Sequence, residues 1–266
     1  MRFATLAALT AATLLCPQSI YAAENDATVP TYHADAARSG HYIVPGLTWA
    51  RAPDLRREEA FDGRVPGNVY AQPLYWRPAG ATTGVVIVAT EDNAVVALDA
   101  ADGRTVWKQS LGPPVARSKL PCGNIDTLGI TGTPVIDERS GALYLDAMID
   151  RGDGPRHWVF GLSLADGAVL PGWPVDTAAS LNVIGIGFDP SVQNQRGALT
   201  MVADKLYVPY GGHLWRMWRI SRLCRRVSAG QAGGVRGLAD MAQRRRQLGA
   251  GRDRLRRPIP VHRHRP

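Results

Sequence analysis

The sequence predicts an all-β chain of repeated four-stranded antiparallel units, about three of them, and three observations predict it. First, short β-branched runs alternate with turn clusters at hairpin spacing: Val85–Thr90, Ala94–Leu98 and Arg104–Lys108 are separated by Glu91–Asn93 and Asp99–Gly103. Second, the pattern recurs. Ala71–Tyr75 (AQPLY) aligns with Gly132–Ile136 (GTPVI) 61 residues later, and Val96–Gly103 (VALDAADG) aligns with Phe160–Gly167 (FGLSLADG) 64 residues later. Third, no amphipathic helical period stands out between residues 23 and 213.

The N-terminus reads as an export signal. Arg2 supplies the positive charge, Phe3–Leu15 is a 13-residue apolar run, and Ser19–Ala22 (SIYA) offers a cleavage site, so the mature chain is expected to begin near Ala23. The apolar run is too short for an ordinary spanning helix, and no later segment is long and apolar enough either. The expected location is periplasmic or extracellular. Cys16 leaves with the signal, and Cys122 and Cys224 remain. Cys122 reads as a loop thiol or one half of a single structural bridge, since two cysteines make no disulfide framework and no C-x-x-C metal spacing occurs.

The body, 23–213, carries the repeat. Between the two aligned turns, Gly84–Ala89 matches Gly141–Asp146, and a third unit starts at Gly197–Val202 with Asp204–Pro209 as its second strand. Four-strand units at a fixed period are the mark of a β-propeller. The period is long for a blade, with the excess in loops, chiefly Gly112–Leu128 and Pro171–Asn194. Three units cannot close a ring of about six to eight blades, so the ring is expected to be incomplete, and an open edge is an aggregation liability.

Val85–Leu111 (VVIVATEDNAVVALDAADGRTVWKQSL) resembles the repeat of quinoprotein-type (pyrroloquinoline-quinone-like) β-propeller proteins, in which a strand pair ends in A-L-D-x-x-x-G followed by a Trp on the outer strand. Tyr70–Tyr75, Leu128–Asp137 and Gln193–Leu199 are similar to segments of an exported subgroup of these proteins. The resemblance covers roughly residues 32–213. It implies structural roles for Asp99, Gly103, Trp107, Asp166 and Gly167, locking one blade to the next. It also brings pyrroloquinoline quinone with Ca²⁺ into view as a cofactor. The dehydrogenases of the family carry an adjacent Cys pair, a stacking Trp and carboxylates around Ca²⁺; this chain has no adjacent Cys pair.

The charge divides the chain at His213. Residues 1–213 hold 16 Lys+Arg against 21 Asp+Glu, whereas 214–266 hold 15 Arg, no Lys and 2 acidic residues, so the whole-chain charge of +8 comes from the tail. Two readings stand. Taken literally, Leu214–Arg226 interleaves Arg with Trp and Leu, a polyanion- or lipid-surface pattern, so nucleic acid or anionic lipid would be the partner. Taken as a slipped frame, a one-base shift forces Gly from Trp215–Arg216, Cys from Met217–Trp218 and Gly from Trp218–Arg219, continuing Gly211–His213 as a propeller strand pair. The out-of-frame reading is favoured, leaving 214–266 disordered and the propeller truncated. The restored Cys would be a partner for Cys122.

Candidate chemistry is sparse. No G-x-S-x-G turn and no Asp/Asn cluster of metal-loop spacing occurs. His33, His41, His157 and His213 are scattered singly, Asp35, Asp126 and Asp150 read as solvated loop carboxylates, and Gln193–Arg196 suits a propeller mouth or a turn leading into a strand. No catalytic or metal-binding residue is assigned. The expected function is that of a binding or scaffold module, with a small molecule or protein at the propeller mouth. The alternatives are a remnant of a quinone-dependent oxidoreductase and a propeller fragment with a genuine basic tail.

Overall fold

The computed structural model describes residues 28–44, 46–213 and 223–228. β1 (Leu74–Trp76), β2 (Val85–Ala89), β3 (Ala94–Asp99) and β4 (Thr105–Ser110) form an antiparallel sheet in sequential order. β5 (Val135–Asp137), β6 (Ala142–Asp150), β7 (Pro155–Ser163) and β8 (Val175–Asp176) form a second sheet in the same order. The third sheet runs β10 (Thr200–Val202), β11 (Lys205–Gly212), β12 (Leu223–Ser228), with β9 (Gln193–Asn194) paired to the far end of β11. These are the three expected blade units.

The first two sheets repeat each other bond for bond where the sequence repeats. Leu74 pairs with Ile87 and Val135 with Tyr144 at the start of each blade. The turns after β3 and β7 are also the same. Gly103 N donates to Asp99 O and Gly167 N to Ser163 O, each at 2.9 Å. Asp102 Oδ1 accepts from Arg104 N at 2.9 Å, and Asp166 Oδ1 from Ala168 N at 3.1 Å. Both glycines sit at positive φ, +78° and +75°, where a side chain is strained.

The middle blade is buried on both faces, which explains its sequence. All nine residues of β6 are buried. Leu143, Leu145, Ala147 and Ile149 point into a core shared with Ile87, Val95, Ala97 and Trp107 of the first blade. Ala142 and Tyr144 point the other way, into a core with Leu199, Leu206, Val208 and Tyr210 of the third. A strand covered on both sides carries apolar residues on both faces, so β6 reads as a near-continuous apolar run interrupted by Asp146 and ended by Asp150 rather than as an alternation. The outer face of the first blade is capped instead by Phe61 and Val65, packed on Val88, Val96 and Leu98.

The structure differs from the sequence expectation in two places. The segment read as a helix-free loop contains α1 (Thr177–Asn182), capped by the Asp176 side chain, which accepts from Ala179 N. Six residues are too few to show a helical period. Residues 223–228, expected to be disordered with the rest of the tail, form β12, because β11 would otherwise present an unpaired edge; the pairing runs from Tyr210↔Leu223 to Lys205↔Ser228. The expected signal segment, 1–22, and the rest of 214–266 lie outside the described residues. No helix among the described residues is long and apolar enough to cross a membrane.

Gly167→Ala is expected to cost about 2–4 kcal/mol, because its Cβ would combine a positive φ with an approach of 2.6 Å to the Trp107 ring. Gly141→Ala, at φ +64° with open space around it, carries only the backbone cost of about 1 kcal/mol. Urea unfolding of the two variants side by side checks the difference.

Candidate functional site

Of the residues singled out from the repeat, Trp107 and Gly167 meet where the first blade packs on the second. Trp107 on β4 donates from Nε1 to Leu164 O at 3.0 Å and lays its ring on Gly167, so an indole from the first blade closes on the β7 turn of the second. Gly103 instead meets the backbone of Asp62 and Gly63, in the segment that precedes β1. Asp99 and Asp166 shape their turns, with Asp99 Oδ1 accepting from Ala101 N at 2.9 Å. Backbone hydrogen bonding from Ala168 holds the Asp166 carboxyl below the usual carboxylate range. Trp173 is the counterpart in the second blade. It covers Gly161, the repeat partner of Ala97, but stands six residues after its turn glycine where Trp107 stands four. That two-residue offset hides it from a fixed-spacing search.

A second seam is polar. Asp146 is 1% exposed in the middle of β6, and His157 on β7 is equally buried. Asp146 Oδ1 lies 2.7 Å from His157 Nδ1, and Asp146 Oδ2 accepts from Tyr210 Oη at 2.6 Å across the blade boundary. Thr177 Oγ1 lies 2.9 Å from Tyr210 Oη, and His157 Nε2 lies 3.1 Å from Gln193 O. Burial works to lower the His157 pKa, but the Asp146 charge and the two hydrogen bonds outweigh it and raise the pKa above its ordinary value. Both ring nitrogens face acceptors, as an imidazolium requires. An Asp inside an otherwise apolar strand, Ala142–Ile149, is the sequence signal for this network.

The third seam runs along residues 128–136. Glu91 Oε2 accepts from Gly129 N at 2.6 Å, Asn93 Nδ2 donates to Met148 O at 2.8 Å, and Gln72 N donates to Thr133 Oγ1 at 3.0 Å. A Cβ on Gly129 would lie 2.7 Å from Asn93 Oδ1, and one on Gly132 would collide with Gln195 Oε1. The two glycines of LGITGTP are thus places where amide oxygens rest directly on the backbone. Burial raises the Glu91 pKa, against the Gly129 hydrogen bond that lowers it.

Beside this seam lies a shallow, solvent-open hollow with room for about one water molecule, lined by Leu120, Ile125, Leu128, Asn124, Asn194, Arg196 and His213. It joins the long 112–128 loop to the polar Gln193–Arg196 stretch, and only folding brings the two together. His213 is 8% exposed, and its Nε2 has no hydrogen-bond partner among the described residues. Burial and the charge of His157 push its pKa down to about 4.

The remaining candidates are peripheral. Asp35 bonds Ser39, Asp126 Oδ1 accepts from Arg117 N at 2.9 Å, and Cys122 is half-buried in the loop next to the hollow. The positions whose shifted reading would supply its partner Cys, Met217 and Trp218, lie outside the described residues. Asp150 is not the solvated loop carboxylate that its sequence suggested. It ends β6, is buried, and pairs with Lys119 Nζ at 2.5 Å, which lowers its pKa. Among the described residues no three His, Cys, Asp or Glu side chains gather as a metal site. The two indoles that follow the repeat turns lie on Gly167 and Gly161.

The fold has known counterparts. A quinohemoprotein alcohol dehydrogenase from Comamonas testosteroni superposes with a TM-score of 0.56 at 20% identity, over 77% of this chain and 26% of its own. A europium-containing methanol dehydrogenase superposes with a TM-score of 0.51 at 18% identity, over 78% of this chain and 31% of its own. No family model and no curated protein matches the chain. The chain thus has a quinoprotein-like β-propeller fold, and it spans between a quarter and a third of the length of these two enzymes.

His213 gives a pH test. A histidine depressed from 6.5 to about 4 contributes stability in full above pH 6.5, and that stability is lost as pH falls toward 4. The difference in unfolding free energy between wild type and His213→Gln is therefore expected to shrink on going from pH 7 to pH 4.5, by an amount on the order of 2–3 kcal/mol. Thermal or urea unfolding at a series of pH values reads it.

Proposed function

We propose that this chain belongs to an exported quinoprotein-like propeller that works as a binding scaffold and not as an oxidoreductase. One observation carries the reading: the ionisable cluster at the heart of the fold is spent on structure. Asp146 offers both oxygens to partners within the seam, His157 both nitrogens, and Tyr210 closes the cluster at 4% exposure. A general acid or base must reach a substrate proton, and Asp146 and His157 are each only 1% exposed. Trp107 and Gly167 are likewise committed to the contact between the first two blades.

Recognition then falls to the surface where loops from two blades meet, the hollow between the 112–128 loop and Gln193–Arg196. The reading includes export, on the strength of the 1–22 segment, and an out-of-frame origin for 214–266. It gives no role to the net charge of that tail.

The test is redox activity. The full chain supplied with pyrroloquinoline quinone, Ca²⁺, ethanol and an artificial electron-acceptor dye is expected to reduce no dye above the protein-free control. Alcohol-dependent dye reduction that scales with protein concentration would overturn the scaffold reading.

A further inference from the structure

The chain ahead of the first blade ties the three blades together and then leaves them. Val29 N donates to Tyr75 O of β1 and Ile136 N of β5 to Pro30 O, both at 2.8 Å, and Arg38 Nη2 donates to Thr200 Oγ1 of β10 at 2.7 Å. The next hydrogen bond from this segment to a blade, among the described residues, is at Asp62, whose N donates to Asp102 O at 3.1 Å. Beside it Phe61 packs on Val88, Val96 and Leu98 on the outer face of the first blade. The stretch between runs from the third blade to the first, the two that have a neighbouring blade on one side only.

That stretch is apolar and uncovered. Tyr42, Ile43, Val44, Leu47, Trp49 and Leu55 are each 47% exposed or more, Trp49 at 94%, and none joins the cores of the blades. Its backbone hydrogen bonds are local, such as Leu47 N to Val44 O and Leu55 N to Ala52 O. Apolar exposure this dense marks a contact surface. The six exposures amount to on the order of 700 Å² per chain, close to the ~800 Å² that each partner brings to a standard interface. The charges beside them are balanced: Arg51, Arg56 and Arg57 stand with Asp54, Glu58 and Glu59. The ion pairs among the described residues include none of these six. Balanced charge gives no pull toward an anionic lipid surface or a nucleic acid. Both signs close together instead complement a second copy of the same segment, arginines of one meeting carboxylates of the other.

We propose that the segment 42–59 docks onto the same segment of a second copy of this chain, forming a two-fold dimer. The apolar side chains bury against each other, and the flanking charges set the antiparallel register. Trp49 is the anchor, being the largest and most exposed of the six. The dimer goes beyond the scaffold reading and is independent of it.

The experiment is sedimentation equilibrium of the full chain over a range of concentrations. Twice the chain mass is expected, with a dissociation constant on the order of micromolar. Trp49→Asp is expected to raise that constant by about thirtyfold or more and to leave the circular dichroism spectrum unchanged, because the side chain joins no core. Arg56→Glu with Arg57→Glu is expected to raise it about tenfold, and adding Glu58→Arg and Glu59→Arg to the same chain to restore it. A monomer throughout the range overturns the proposal, as does a dimer that Trp49→Asp leaves intact or a double charge reversal that restores nothing. Open-ended aggregates in place of a dimer, or a monomer that binds phosphatidylcholine vesicles through Trp49, overturn it too.

Discussion

The buried carboxylate of Asp146 is the constraint around which the second and third blades are arranged. A charge placed in a strand with no solvent access is costly unless every lone pair is matched. Here the match comes from three directions: His157 within the blade, Tyr210 from the next blade, and Thr177 through Tyr210 from the short helix between them. The ring of Phe188 closes the pocket, edge-on to both His157 and Tyr210 at centroid distances of 6.1 and 5.1 Å. The Pro171–Asn194 excess length serves this need. It carries α1, Phe188 and Gln193 into place around one acidic group.

The first and second blades meet by a different device. Trp107 spans the seam with one hydrogen bond and a ring laid on a glycine, and the 128–136 segment lies between the blades as a spine bonded to both sides. The spine takes hydrogen bonds to side chains of the first blade, Glu91 among them, while Leu199 N of the third blade donates to Thr133 O at 2.9 Å. Because the spine fixes Leu128 and Gly129, it also fixes the apolar wall of the hollow. The hollow is therefore a by-product of blade packing, positioned by the same residues that hold the blades.

Local chemistry is legible in the sequence and long-range chemistry is not. Val96–Gly103 and Phe160–Gly167 reveal their turns because the turn is made by the residues themselves: Asp102, Asp166 and the positive-φ glycines need no distant partner. The strands of the first blade are legible for the same reason. Trp173 is not, since a two-residue offset breaks the spacing, and α1 is too short to carry a period. His157 and His213 look alike as single histidines. Only the fold separates them, giving one a carboxylate at 2.7 Å and leaving the other a neutral ring facing a hollow. Asp150 passes for a solvated carboxylate in the sequence because Lys119, its partner, is 31 residues away. Arg196 and Leu128 are 68 positions apart, and nothing in either local sequence says that they face each other.

The most direct test of this account is a double-mutant cycle between Asp146→Asn and Tyr210→Phe, read by equilibrium unfolding of the full chain. If the cross-blade bond at 2.6 Å organises the seam, the two changes are coupled by about 1.5 kcal/mol or more, with either single change costing nearly as much as the pair. Additivity within about 0.5 kcal/mol would contradict it, and would mean that the second and third blades are held by their apolar contacts alone.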